Sequence, residues 1–261
     1  MGQLIFVFFF ALALPVFATE PPDCELQVAC EVGNRSYHAR VPDGWDGKTP
    51  LPVLLHFHGW GRQGTLTVRH SRIAGATRKM GVLLLGPNGN GRSWDFWDAS
   101  SGDIGFAEAV IEDAARRWPI DRSRIFVSGY SWGGSMAWRF ACADGSSIAA
   151  VLAISGTLGD TDEKCANPVE FRHVHGTRDT VMDYPYGPDG ALAGAVALWI
   201  TRNGCGDKAD SRSSWKPTEI LPVTRHSWTK CSSGKSVTLD VHGRGHFIPR
   251  GWIAKQLEEL L

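Results

Sequence analysis

Gly129-Tyr130-Ser131-Trp132-Gly133 follows a strand-like run, Arg124-Ile125-Phe126-Val127-Ser128, and opens a helix-like run, Gly134-Ser135-Met136-Ala137-Trp138-Arg139-Phe140-Ala141. A Gly-x-Ser-x-Gly turn between a strand and a helix is a nucleophile elbow. The reversal is so sharp that the serine takes a strained backbone conformation, with its hydroxyl thrust out above the sheet. A Cβ two residues to either side would crowd the neighbouring strand or helix, which explains the glycines. Ser131 is therefore the candidate nucleophile.

Strands and helices alternate around this turn. Residues 51–58 form a near-continuous apolar run, typical of a strand buried on both faces. Residues 81–86, 149–155, 169–174 and 237–241 read as further strands. Residues 67–79 are helix-compatible, and 105–118 carry Phe106, Ala109, Val110, Ala114 and Trp118 at helical spacing before Pro119. A helix over 191–203 ends at Gly204, and one over 249–261 has Pro249 near its first position. Residues 26–32 and 36–41 alternate as an antiparallel hairpin turned at Gly33-Asn34. Residues 88–103 and 207–229 read as long loops that wall a substrate site. The pattern predicts the α/β-hydrolase fold, a single domain with a mostly parallel central sheet flanked by helices and catalytic groups at the carboxyl ends of strands.

Composition narrows the function. The 261 residues hold 27 basic and 27 acidic side chains, a balance that gives no reason to expect a nucleic-acid partner. Residues 4–14 are almost wholly apolar, and Leu14-Pro15-Val16-Phe17-Ala18 ends in small residues suited to signal peptidase. Residues 1–18 read as a secretory signal peptide, with 19–261 as the mature domain and no membrane anchor after cleavage. The export route favours disulfides among Cys24, Cys30, Cys142, Cys165, Cys205 and Cys231. Sequence alone leaves the connectivity open. Pairing of neighbours is preferred: Cys24–Cys30, Cys142–Cys165 and Cys205–Cys231, the last tying the loop before the final strand.

A serine hydroxyl needs a base to take its proton, usually a histidine oriented by a carboxylate. In this fold both follow the serine, the acid first. Asp179, in His175-Gly176-Thr177-Arg178-Asp179, and His246, in Gly243-Arg244-Gly245-His246-Phe247, each lie just past a predicted strand. Asp183 and His242 are their rivals. An oxyanion hole needs two backbone N–H groups. Trp132 supplies one, and His58-Gly59-Trp60-Gly61 the other, from Trp60 or alternatively Gly59. His58 then shapes the loop. The pairs His56/His58 and His173/His175 alternate as metal ligands sometimes do. No carboxylate cluster or His-Glu-x-x-His spacing joins them, so neither a metal nor another cofactor is expected.

The same motifs carry a family resemblance. His58-Gly59, the 129–134 turn, His175-Gly176 with Asp179, and Gly245-His246 with Pro249 stand in the order of the secreted polyhydroxybutyrate-depolymerase-like esterases. That family also includes feruloyl and acetyl-xylan esterases of the same carbohydrate-esterase type. Asp103-Ile104-Gly105-Phe106 and Ile120-Asp121-Arg122-Ser123-Arg124 agree between the motifs, so the resemblance runs over 45–252. It implies a serine esterase in which Ser131, Asp179 and His246 are nucleophile, acid and base, with a late disulfide at Cys205 and Cys231. The chain departs from the pattern at Trp132, where Asn is common, at Asp183, where proline is common, and in the tandem aromatics Trp94, Phe96 and Trp97.

The expected partner is a small or oligomeric ester. Trp94 and Trp97, with Trp60, would form an aromatic cleft for a phenolic acyl group, a sugar or a polyester chain. Feruloyl or acetyl-type carbohydrate esters come first and 3-hydroxybutyrate oligomers second. The chain ends soon after its last catalytic strand, which disfavours attack on solid polyester. A secreted peptidase of the same fold and a catalytically inactive binding protein complete the alternatives. Acyl preference and oligomeric state stay open.

Overall fold

The computed structural model describes residues 24–158, 165–187, 189–192 and 194–261. The signal-peptide reading of residues 1–18 falls outside them. One ten-stranded sheet, apolar at its centre and polar toward its edges, is formed by β1 (Cys30–Val32), β2 (Arg35–Arg40), β3 (Leu51–Phe57), β4 (Leu83–Pro87), β5 (Ile120–Tyr130), β6 (Ala150–Ile154), β7 (Glu170–Gly176), β8 (Ser211–Thr218), β9 (Leu221–Trp228) and β10 (Val237–His242). Their spatial order is β1-β2-β4-β3-β5-β6-β7-β10-β9-β8. The central strands β4, β3, β5, β6, β7 and β10 are parallel, and antiparallel hairpins close both edges.

The order of the strands places the site. The chain leaves β3 toward β4 on one side and returns as β5 on the other, so the loops after β3 and β5 meet at a switch point. Helices α3 (Gly102–Arg117), α4 (Trp132–Ala143) and α5 (Gly194–Asn203) pack on one core layer with Phe106, Trp138, Phe140 and Trp199. The other face buries Val68, Ile73, Trp252 and Leu257 from α2 (Ala74–Lys79), α6 (Trp252–Leu260) and their neighbouring turns. Among the described residues no helix is long and apolar enough to cross a membrane.

Three expectations change. The helix expected over 67–79 is broken into α1 (Gly64–Thr67) and α2, because the His70 ring accepts the Arg72 N–H and competes with the helical ladder. The loop expected over 207–229 is largely the β8–β9 hairpin, whose polar edge strand slips register between Trp215 and Thr218, around Pro217. The last helix starts at Trp252, not Pro249, because Gly251 caps it in the left-handed region at φ 78°.

Candidate active site

Ser131 follows β5 at φ 58° and ψ −125°, a positive φ that the elbow imposes on a non-glycine residue. Neighbouring backbone leaves no alternative to glycine at the flanks. A Cβ at Gly129 would lie 1.9 Å from the Gly133 carbonyl oxygen, and one at Gly133 would lie 2.0 Å from that of Phe57. The Ser131 N–H donates to the Ile154 carbonyl at 2.9 Å, and its own carbonyl accepts from Ser135, locking the turn between β6 and α4. Trp132 is the first residue of α4, where a backbone N–H has no intrahelical partner.

Loops after β7 and β10 bring Asp179 and His246, the candidate acid and base, together. Arg178 donates its N–H to the Arg244 carbonyl, and Thr177 donates to that of His242. Across this clasp, His246 Nδ1 lies 2.6 Å from Asp179 Oδ2. The His246 ring rests on Tyr130, centroids 4.8 Å apart, directly beside Ser131 in the chain. Asp183 is exposed and His242 is buried at the strand end, donating nothing to this pair.

Charge states follow from surroundings. Burial raises the Asp179 carboxyl, but hydrogen bonds from His246 and from the Met182 and Val181 N–H groups outweigh it, leaving its pKa below the ordinary value. Asp179 is therefore an ionised acceptor, so His246 Nδ1 carries the proton and Nε2 presents a lone pair. His175 was not singled out by sequence as part of this centre. Its Nε2 faces both the Met182 carbonyl and Asp179 Oδ2, each at 3.3 Å. Burial lowers its pKa despite the carboxylate, so the neutral ring donates from Nε2 and accepts at Nδ1 from His173 at 3.0 Å. Period-two spacing on β7 was the available signal.

The loop after β3 is set by His58. Its Nε2 accepts the Gly89 N–H at 3.0 Å, so Nδ1 must donate, reaching the Gly59 carbonyl at 2.8 Å. Burial drives the pKa of His58 down to about 4, keeping the ring neutral. In a trans peptide the carbonyl and the next N–H point in opposite directions. Holding Gly59 O therefore turns the Trp60 N–H the other way, and among the described residues it meets no protein acceptor. Gly59 packs so closely on the elbow that a Cβ there would lie 3.5 Å from Ser131 Cβ.

The aromatic residues divide. Trp60 and Trp97 are 67% and 65% exposed, and both lean on Trp132, with centroids 6.1 Å and 6.3 Å away. Trp94, expected beside them, is 2% exposed, and its Nε1 donates to the His58 carbonyl at 2.8 Å. It underpins the loop, and only its edge reaches the cleft of about 430 Å³ that it borders with Trp97. Sequence also passed over the supports of this loop. Buried Arg139 donates to the Phe96 carbonyl at 2.7 Å, and Asp103 accepts the Asp95 N–H at 2.7 Å while pairing with Arg35.

Disulfides join Cys24–Cys30, Cys142–Cys165 and Cys205–Cys231. Among the described residues no group of three His, Cys, Asp or Glu side chains is placed to hold a metal ion.

No family model matches the chain. Feruloyl esterase C of Emericella nidulans is 26% identical over 251 residues, which cover 91% of this chain and 83% of that one. A bifunctional acetylxylan esterase/xylanase of Neocallimastix patriciarum is 26% identical over 214 residues, 81% of this chain and 31% of the longer partner. Among solved structures, an acetyl xylan esterase from Aspergillus awamori superposes with a TM-score of 0.65 at 15% identity, over 86% of this chain and 93% of its own. The chain thus has the α/β-hydrolase fold, is similar to the feruloyl esterases, and is a carboxylic ester hydrolase.

Proposed function

We propose that the protein is a secreted serine esterase acting on feruloyl- or acetyl-type carbohydrate esters through a Ser131–Asp179–His246 triad. The observation that carries this reading is the 2.6 Å contact of Asp179 with His246, formed against the ring of Tyr130 beside the strained Ser131. The three disulfides support export from the cell.

In this mechanism Ser131 Oγ attacks the ester carbonyl carbon while His246 Nε2 takes its proton. The carbonyl oxygen becomes an oxyanion held by the N–H groups of Trp132 and Trp60. Ionised Asp179 stabilises the imidazolium through the Nδ1 hydrogen bond. As the tetrahedral intermediate collapses, the C–O bond breaks and His246 hands its proton to the leaving alcohol. Water then enters, gives its proton to His246 and attacks the acyl-enzyme. Collapse returns the proton to Ser131 and frees the acid. The exposed indoles of Trp60 and Trp97 beside Trp132 favour a planar aromatic acyl group over an aliphatic polyester unit.

Hydrolysis of methyl ferulate, p-nitrophenyl acetate and a soluble 3-hydroxybutyrate oligomer tests the proposal, with Ser131→Ala as control. Turnover should fall by about 10⁶-fold in the variant, with methyl ferulate fastest in the wild type. Fastest cleavage of the 3-hydroxybutyrate oligomer would replace the carbohydrate-ester reading with the polyester one. Equal inactivity of both proteins on all three would remove the esterase mechanism.

A further inference from the structure

One face of the catalytic centre is aromatic, and the other carries arginine. A cavity of about 440 Å³ opens beside Tyr130 and Phe247, with Arg62, Arg69 and Arg72 in its lining. A second, of about 460 Å³, shares Arg72 and Phe247 with the first and adds Arg244 and Arg250. Neither lining contains an Asp or a Glu, although the whole chain carries 27 acidic and 27 basic side chains.

Among the described residues none of these five guanidinium groups forms an ion pair. Arg69 meets Gln27 Oε1 at 2.5 Å. Arg72 meets the Ile248 carbonyl at 2.5 Å and lies 5.7 Å from the Phe247 ring centroid. The side chains of Arg62, Arg244 and Arg250 contact no acceptor among the described residues. Many arginines elsewhere are paired, among them Arg35 with Asp103, Arg78 with Asp43, Arg117 with Asp113, Arg122 with Glu112 and Arg225 with Asp240, while among the described residues Arg92, Arg178 and Arg212 also lack an ion pair but are scattered over the surface. A planar guanidinium is suited to bidentate capture of a carboxylate, and five around one groove attract an anion at longer range.

The groove adjoins the reacting groups. Tyr130, in its wall, stacks on His246 at 4.8 Å, Phe247 follows His246 in the chain, and Gly59 lines the same cavity beside Ser131. His246 must protonate the departing oxygen, so the alcohol side of the ester lies by His246. The tryptophans lie instead with α4 and the Gly59–Gly61 loop, and none of them lines either cavity. We infer that the groove formed by Arg62, Arg69, Arg72, Arg244 and Arg250 binds the alcohol part of the substrate, and that this part is an acidic carbohydrate bearing carboxylates. The inference rests on the esterase reading for the identity of the bound part, and on the groove alone for its charge.

Calorimetric titration of the Ser131→Ala protein with the trimer of galacturonic acid and with xylotriose separates the two. The acidic trimer should bind about tenfold more tightly at low ionic strength, and salt should shrink that margin. An Arg62→Gln/Arg244→Gln double variant removes two groups with no protein partner, and circular dichroism checks its fold. The margin should fall toward parity in it. Equal affinity for the two trimers, or a margin that survives the double variant, would overturn the inference whatever the fate of the esterase reading. A catalytic comparison uses 4-acetoxyphenylacetate and 4-acetoxyphenylacetamide, in which a methylene insulates the phenol from the carboxylate or amide, so the two leaving groups differ chiefly in charge. Ser131-dependent turnover should favour the acid about tenfold in kcat/KM. Turnover without that preference would overturn the placement of the charged group on the alcohol side. Loss of turnover on both would strike the esterase mechanism and leave the binding result to decide the groove.

Discussion

His175 Nε2 lies 3.3 Å from Asp179 Oδ2, the same carboxylate oxygen that meets His246 Nδ1 at 2.6 Å. The acid is therefore gripped from both sides by imidazoles, and by two backbone N–H groups at its other oxygen. His175 is fully buried, so its expected role is to keep Asp179 aimed at His246. His175→Ala should lower kcat by about tenfold, the worth of one hydrogen bond to a charged group, with KM little changed. Steady-state kinetics on p-nitrophenyl acetate measures both. A variant with wild-type kcat would show that the backbone donors suffice.

His58 fixes a peptide rather than a proton. Its hydrogen bonds to Gly89 and Gly59 hold the Gly59–Trp60 unit with the Trp60 N–H turned from His58. His58→Ala should free that unit and cost roughly 10²-fold in kcat, the scale of a lost oxyanion donor. His58→Gln, able to bond at one of the two points, should fall between. Unchanged kcat in both variants would assign the second donor elsewhere, with the Gly59 N–H next in line.

Trp97 is mostly exposed and leans on Trp132, so its substitution removes contact surface without opening the core. Trp97→Ala should raise KM for methyl ferulate by about three- to tenfold, the range of an aromatic pair, and leave p-nitrophenyl acetate less affected. Thermal melting should stay close to wild type. Equal effects on both esters would separate Trp97 from acyl recognition.

Acid should destabilise the fold before carboxylates titrate. Burial lowers the pKa of His56 to about 3 and of His58 and His242 to about 4, and lowers those of His173 and His175. The unfolded chain takes up protons at these sites near pH 6.5, and the folded chain refuses them. The folded state is thus fully favoured above about pH 6.5, and each such histidine withdraws up to about 1.4 kcal/mol per pH unit as the pH falls toward 4. Asp179 has the same sign in a lower window, because its depressed pKa favours folding only while the carboxyl is ionised. Calorimetric melting from pH 7.5 to 4.5 should show Tm dropping steeply below about 6.5, with proton uptake on unfolding. A flat Tm across that range would mean these rings are charged or hydrated in the folded protein.

Local signals carried a long way in this chain. The glycines at 129 and 133 are demanded by contacts of 1.9 Å and 2.0 Å that any Cβ would make, so the elbow is written in residue types. Ser131, Asp179 and His246 each stand just past a strand whose burial shows in its apolar residues, as in Phe126-Val127, Phe171 with Val174, and Val237 with Leu239. The hairpin over 211–228 escaped notice because edge strands need no apolar face, and Ser211–Thr218 is mostly exposed.

The sequence by itself determined the fold class and the strained turn at Ser131, and singled out Asp179 and His246 as candidates, because each reading depends on periodicity or on steric limits within a few positions. Tertiary structure alone decided which of several similar side chains meet. It put Asp179 rather than Asp183 against His246, and set His175 behind the acid. It turned Trp94 inward to the His58 carbonyl while leaving Trp97 in solvent, and gathered five arginines from 62–72 and 244–250 around one groove. Those outcomes depend on contacts between segments far apart in the chain, and residue type and spacing do not encode which way a loop side chain faces until the sheet has brought the loops together.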